Sequence, residues 1–513
     1  MSSLLFHDVS FAYDASPDGL FCEIQFGLSE GWAGVIGENG SGKTTLLRLA
    51  CHELTPRRGI IDAPRASVYC PQRTDAPLDE SAAFCAADDA EAFRLRGTLG
   101  IERVWLDRWP TLSHGERKRV QIATSLWLRP DLLAVDEPTN HLDAEARRMV
   151  LAALRTYRGI GLLVSHDREL LDGLCAHSLF VSPPTVRLRS GGYTTATAAR
   201  RAEDDAAQQE RRRLREVRRR LERERIERRG HAQKAERAKS LHGVESGDHD
   251  AREKARGARD RDHGSGKGLR QLEGRLRQTS EREAALSTPP RRNLGINPRS
   301  SPSDRNAVVR LAAGSLSLGP AHRLDFPDLL VQPTNRIAVT GPNGGGKSTL
   351  VRHIVATSTL APEHILYVPQ EISAEESLDL LRRIRLSPSK DLGRAMQWVS
   401  RLGSDPERIL ESRTPSPGEV RKLLLALRLA DEPQLILLDE PTNHMDLPSV
   451  ECLETALRTI ECALLLVSHD RELLEALCAL EWNIARATAT SPTFVLSPRA
   501  FRSGLVAPAT SES

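Results

Sequence analysis

Short runs of Val, Ile and Leu recur along this chain, each flanked by stretches in which apolar residues return every three or four positions. Runs such as Leu132–Val135, Gly161–Val164, Leu435–Leu438 and Leu464–Val467 are apolar without alternation, the pattern of strands covered on both faces. The intervening stretches have the period of amphipathic helices. Strand runs alternating with helices predict an α/β fold on a mainly parallel sheet.

The pattern occurs twice. Asp136-Glu137-Pro138-Thr139-Asn140-His141 returns as Asp439-Glu440-Pro441-Thr442-Asn443-His444, and Val164-Ser165-His166-Asp167-Arg168 returns as Val467-Ser468-His469-Asp470-Arg471, both 303 residues later. A period this long marks a duplicated domain rather than a solenoid. The expected organisation is a first domain over 1–192, a linker over 193–306, a second domain over 307–499 and a frayed tail over 500–513.

The linker has a different pattern. Residues 196–242 lack proline and are interrupted only by Gly230, which predicts one long helix of about 70 Å. Leu214, Val217 and Leu221 form a thin apolar seam, matched by Leu269, Leu272 and Leu276. Antiparallel pairing of Leu214 with Leu276 and of Leu221 with Leu269 predicts a helical hairpin turning within Gly243–Gly247. Gly264, Gly266 and Gly268 should kink the return arm, and Pro289, Pro290, Pro298 and Pro302 mark the route into the second domain.

Net charge is only +3, but its distribution is uneven. Residues 201–290 carry 25 Lys+Arg against 18 Asp+Glu, leaving 47 against 51 elsewhere. Positive charge is therefore concentrated between the repeats, where a polyanion could be bound. None of the eight cysteines lies in a C-x-x-C pair, which argues against a metal cluster and for a reducing compartment. The N-terminus has no signal-peptide pattern, and no apolar run reaches the roughly 18 residues of a membrane span. The expected location is the cytoplasm, with no membrane partner.

The candidate chemistry follows the same duplication. Gly37-Glu38-Asn39-Gly40-Ser41-Gly42-Lys43-Thr44 and Gly341-Pro342-Asn343-Gly344-Gly345-Gly346-Lys347-Ser348 both have the spacing of a phosphate loop. Each follows a strand-like run and opens a helical one, with Thr45 and Thr349 next in line. Glycines let backbone N–H groups wrap phosphates, and the helix dipole adds to the attraction. Lys43 and Lys347 should reach the terminal phosphates of ATP, and Thr44 and Ser348 should hold Mg2+. Gly264-Ser265-Gly266-Lys267-Gly268 only imitates such a loop, because Arg261 and Gly268 replace its first glycine and its metal ligand.

Asp136 and Asp439 end apolar strands and are the second candidates for binding Mg2+. Glu137 and Glu440 follow at once and are candidates to polarise the attacking water. His166 and His469, after the next strand in each repeat, are candidate contacts to the γ-phosphate. Adjacent Ser-His-Asp residues cannot form a serine-hydrolase triad.

Together these motifs resemble the ATP-binding-cassette superfamily over both repeats. Leu112-Ser113-His114-Gly115-Glu116 is similar to its signature loop, Gln72 and Gln370 to its Q-loops, and Tyr13 to the aromatic that stacks on adenine. The resemblance implies a head-to-tail pair of P-loop NTPase cassettes within one monomer. The Lys43 site would then be completed by Ser416, Gly418 and Glu419, and the Lys347 site by Ser113, Gly115 and Glu116. Two departures predict inequivalent sites: the second signature reads Pro415-Ser416-Pro417-Gly418-Glu419, and no aromatic lies near Leu316–Leu318. Two cassettes, a charged helical linker and Leu-Ser-x-Gly-Glu resemble the ABC-F family. That implies an ATPase that binds the ribosomal E site, directs its hairpin toward P-site tRNA and rRNA, and either serves translation or displaces antibiotics. The alternatives are the motor of a transporter with separate membrane subunits and a DNA-repair or chromosome ATPase.

Overall fold

The computed structural model describes residues 3–14, 19–140, 142–240, 271–285, 303, 305–386, 389–404, 406–411, 416–429, 431–443, 445–488 and 491–501. The chain divides into two compact units: Met1–Ala196 together with Arg292–Ser513, and Thr197–Arg291. The first unit contains both repeats.

Among the described residues, the first repeat has a six-stranded sheet in the order Ser67–Cys70, Leu132–Asp136, Ile160–Val164, Gly31–Ile36, Cys175–Ser182, Thr185–Ser190. Its neighbours run parallel except for the last pair. Every residue of Leu132–Asp136 is buried, which accounts for the unbroken apolar run. Leu132 and Ala134 join Leu46 and Leu47 of the phosphate-loop helix on one face, while Leu133 and Val135 join Val120 and Ile122 of the signature helix on the other. Each fully buried leucine contributes about 1.5–3 kcal/mol of transfer free energy. A separate antiparallel sheet of Phe21–Leu28, Leu4–Phe11 and Arg58–Asp62 adds the stacked pair Phe6–Phe26 to the first of these cores.

The second repeat keeps this plan. Its central strands lie in the order Leu480–Arg486, Arg336–Thr340, Ala463–Val467, Leu435–Asp439, Ile365–Val368 within an eight-stranded sheet. Register is conserved between the copies: Asp136 lies opposite Val164, and Asp439 opposite Val467. Both Asp-Glu pairs therefore emerge at the rim of the sheet where the phosphate loops begin.

The predicted long helix is present as Tyr193–Ser240. In the second unit a further helix covers residues 271–285, and Leu221 packs with Leu272 and Leu276. This corrects the predicted register, in which Leu276 met Leu214; Val217, placed in the seam, is exposed. A seam this thin loses little apolar burial when one arm slips by about two turns. Ion pairs accompany the observed register, with Arg215 and Arg218 meeting Glu283 at 2.9 and 3.5 Å and Arg229 meeting Glu273 at 2.8 Å. The predicted turn at 243–247, Leu269, the glycines at 264–268, the prolines at 289, 290, 298 and 302, and most of the tail lie outside the described residues. No described helix is long and apolar enough to cross a membrane, and the eight cysteines are free thiols, all buried except Cys22.

Candidate nucleotide sites

Each phosphate loop enters its helix, Lys43–Ala50 or Lys347–Thr357, through a left-handed glycine: Gly42 at φ 92° and Gly346 at φ 94°. A Cβ at Gly42 would lie 2.9 Å from Leu20 Cδ2, and one at Gly346 would lie 2.7 Å from Leu318 Cδ2. Backbone conformation and space thus both require glycine. No side chain caps either helix, so its first-turn N–H groups and positive dipole end are open to an anion.

Lys43 Nζ donates to the carbonyls of Gly37 and Glu38, both at 2.9 Å, and Lys347 Nζ donates to those of Gly341 and Pro342 at 2.8 and 3.0 Å. Burial lowers the pKa of each ammonium, opposed by Glu137, Asp446 and Asp136 at the first site and by Glu440, Asp143 and Asp439 at the second. Asp136 Oδ2 accepts from Thr44 Oγ1 at 2.7 Å and from Tyr69 OH at 3.2 Å. At Asp439 burial raises the carboxyl above its ordinary range. Nearby Ser348 favours the charged form without making an aligned hydrogen bond.

Glu137 and Glu440 adopt φ 47° and 48°, uncommon outside glycine and costing about 1–3 kcal/mol each. Their N–H groups are held by the carbonyls of Val164 and Val467 at 2.8 and 2.9 Å. Burial, with Asp136 adding, pushes the Glu137 carboxyl up to about 8 against the pull of Lys43. Burial raises Glu440 to about 7, opposed by Lys347 and Arg147. His166 Nε2 lies 3.0 Å from Glu137 Oε1. His469 Nε2 lies 3.5 Å from Glu440 Oε1 and 3.2 Å from Asn343 Oδ1. Burial, Lys347 and Arg147 depress His469 to about 3, so its ring is neutral at physiological pH.

The two signature loops are built alike. Ser113 and Ser416 cap the helices His114–Trp127 and Pro417–Leu429. Glu116 Oε2 accepts from both N and Oγ of Ser113 at 2.7 Å, and Glu419 Oε2 from both groups of Ser416 at 2.8 Å. The glutamate of Leu-Ser-x-Gly-Glu thus closes a capping box. Pro417 sits at the first helical position, where an N–H would have no helical partner and a fixed φ suits the helix. Pro415 lies outside the described residues.

Around Lys43 is a cavity of about 710 Å³ lined by Tyr13, Thr44, Thr45, Gln72, Asp136, Glu137 and His166, with Ser416, Pro417 and Gly418 arriving from the second cassette. Tyr13 stands at its mouth, 44% exposed, with its OH 2.8 Å from Thr45 Oγ1. Around Lys347 is a cavity of about 620 Å³ lined by Ser317, Leu318, Ser348, Thr349, Gln370, Asp439, Glu440 and His469. From the first cassette it receives Leu142 and Arg147, not Ser113 or Gly115. The phosphate loop of the first cassette is also touched across the interface, where Asn39 N donates to Asp446 Oδ2 at 2.8 Å.

Two buried cations escaped the sequence reading. Lys118 Nζ donates to the carbonyls of Pro71 and Asp136, and Arg421 donates to those of Gln370, Glu440 and Asn443. Each ties the Q-loop backbone to the Asp-Glu corner of its own cassette. The available signal was a basic residue two places after the signature glutamate in both copies.

A family model described as ABC transporter matches residues 22–140 and 324–443. The chain is similar to the Tylosin resistance ATP-binding protein TlrC of Streptomyces fradiae, 32% identical over 551 residues, covering 92% of this chain and 95% of that protein. It is also similar to the Ribosome protection protein VmlR of Bacillus subtilis (strain 168), 28% identical over 494 residues, covering 90% of this chain and 84% of that one. Among solved structures it resembles the archaeal ribosome recycling factor aABCE1 crystallised with the ribosomal stalk protein aP1, with a TM-score of 0.62 over 96% of this chain and 90% of that one. At 18% identity, that likeness concerns the fold alone.

Proposed function

This chain belongs to the ABC-F family of tandem ATP-binding-cassette ATPases, and from that premise we propose that it is a cytoplasmic ribosome-protection ATPase. ATP binding closes the two cassettes within one monomer, and the basic helical segment between them acts on rRNA and P-site tRNA. The observation that carries this reading is the union of two phosphate sites with a basic helix in one chain. Residues 211–240 hold 14 Lys+Arg and 5 Asp+Glu. Such a surface neutralises nucleic-acid phosphates and gives salt-sensitive binding. Its lack of aromatic residues favours contact with backbone and shape over stacking on bases. The names of VmlR and TlrC, one a ribosome protection protein and one a tylosin resistance protein, support protection over a housekeeping role. A transporter motor would leave the basic helices without a task.

The geometry supports the following roles for individual residues. Lys43, Lys347 and the first-turn N–H groups bind the β- and γ-phosphates. Tyr13 offers adenine a ring face at the first site, where the second, among the described residues, offers Ser317 and Leu318. Glu137 and Glu440, with raised proton affinity, accept the proton of the attacking water. His166 and neutral His469 orient the γ-phosphate. Ser416 and Gly418 complete the Lys43 site, and Ser113 and Gly115 complete the Lys347 site in the closed form.

Thr44 with Asp136, and Ser348 with Asp439, are sets of oxygen donors suited to Mg2+. Asp439, buried and without an aligned donor on either oxygen, fits a cation ligand. When bound, Mg2+ supplies neutralisation of the phosphate charge.

Expression in a drug-sensitive bacterial host tests the protection reading. The wild-type chain is expected to raise the inhibitory concentration of tylosin or another ribosome-targeting drug severalfold, and a chain carrying Lys43→Ala and Lys347→Ala is not. A well-expressed wild-type chain that shifts no drug in such a panel would refute protection.

A further inference from the structure

The interface between the cassettes is asymmetric at one helix, and the asymmetry is written in the repeat. Helix Leu447–Arg458 begins at Asp446, whose Oδ1 caps it by accepting from Ser449 N while Oδ2 accepts from Asn39 N in the opposite phosphate loop. One turn on, Glu451 Oε1 accepts from Tyr193 OH at 2.7 Å. Next on the same face, Glu454 Oε2 meets Arg168 Nη1 at 3.1 Å, and Glu472 completes the pair at 3.3 Å. Tyr193 is the first residue of the helix Tyr193–Ser240 and is 4% exposed, sharing a core with Leu170, Leu171 and Leu447.

Among the described residues, the Glu451 and Glu454 contacts have no mirror image. On helix Ala144–Leu154, the positions 303 residues earlier hold Arg148 and Leu151 in place of Glu451 and Glu454. The counterpart of Arg168 is Arg471, which pairs with Glu475 of its own helix at 2.8 Å and is largely exposed. One cassette helix therefore touches both the Lys43 phosphate loop at its N-terminus and the root of the long helix about one turn later.

We propose that Asp446, Glu451 and Glu454, with Tyr193 and Arg168, form a one-sided clasp that carries closure at the Lys43 site to the root of the basic helix. These are positioning residues and touch no nucleotide. The proposal rests on the reading that ATP moves that helix.

Double electron–electron resonance on the full chain tests it. The background carries Cys22→Ser with Glu137→Gln and Glu440→Gln to hold ATP. Nitroxides at Arg212→Cys and Glu363→Cys report the helix, and nitroxides at Asp79→Cys and Glu363→Cys report cassette closure, all three positions being exposed. In the background protein, ATP should shift both distance distributions. Adding Tyr193→Phe with Glu454→Gln preserves shape and core packing. It should leave closure and melting temperature nearly unchanged and reduce the ATP-shifted population of the helix pair by about tenfold, the scale of losing one charge-assisted hydrogen bond. A helix pair that shifts in this variant as it does in the background overturns the clasp alone. A helix pair that ignores ATP in the background overturns both the clasp and the lever reading beneath it.

Discussion

Replacing both glutamates, Glu137→Gln with Glu440→Gln, lowers steady-state ATP turnover by about 10²–10⁴-fold while ATP binding persists, the range expected for loss of a general base. Glutamine keeps the volume and planar shape of the side chain but cannot accept the proton of the attacking water. Folding should not suffer. Both carboxylates are buried, with burial the main cause of their raised pKa, so a neutral isostere relieves desolvation rather than leaving a hole. The strained backbone at φ 47° and 48° is held by main-chain bonds that the substitution leaves intact. Phosphate release and equilibrium ATP binding on the same preparation give both readings. The single variants carry a second expectation. The two cavities differ in their adenine face and in what reaches them across the interface, so Glu137→Gln and Glu440→Gln should leave unequal residual rates. Equal rates would show that those differences do not reach the chemistry.

Lys43→Ala and Lys347→Ala each weaken ATP at their own site by at least about 10²-fold, since two charge-assisted bonds of about 1.5–3 kcal/mol are lost together. The effect is enlarged by what remains. Without Lys43, Asp136 and Glu137 face an incoming triphosphate with one buried cation fewer to offset them. Without Lys347 the same holds for Asp439 and Glu440, which keep the weaker pull of Arg421 and Arg147. Titration calorimetry should count two sites in the wild type and one in each single variant. Two undiminished sites in either variant would remove the phosphate-loop assignment.

Most of the fold was legible because its signals are local. Leu132–Val135 is apolar at every position because both faces of its strand are covered, and the phosphate loop imposes glycine where the backbone turns left-handed at Gly42 and Gly346. Duplication then read the second cassette from the first. What the sequence hid depends on register between distant segments. The hairpin seam has too few apolar residues to fix its own pairing, so Leu221 rather than Leu214 meets Leu276. The signature glutamates, assigned by resemblance, also have a local task that the sequence did not show, since Glu116 and Glu419 close capping boxes. Lys118 and Arg421 looked like ordinary charges on an amphipathic helix, since nothing local shows that their carbonyl partners lie buried beneath them. The clasp was hidden by the repeat itself. Motif identity drew attention to what the copies share, and Glu451 and Glu454 act through what they do not share with Arg148 and Leu151.

The central claim is that ATP holds this chain in the state that engages the ribosome. Sedimentation of the Glu137→Gln, Glu440→Gln chain with 70S ribosomes, with and without ATP, tests it most directly. The account predicts that the double variant pellets with ribosomes when ATP is present, more than the wild type does, and stays in the supernatant without ATP. Equal pelleting of variant and wild type, or pelleting indifferent to ATP, would contradict it.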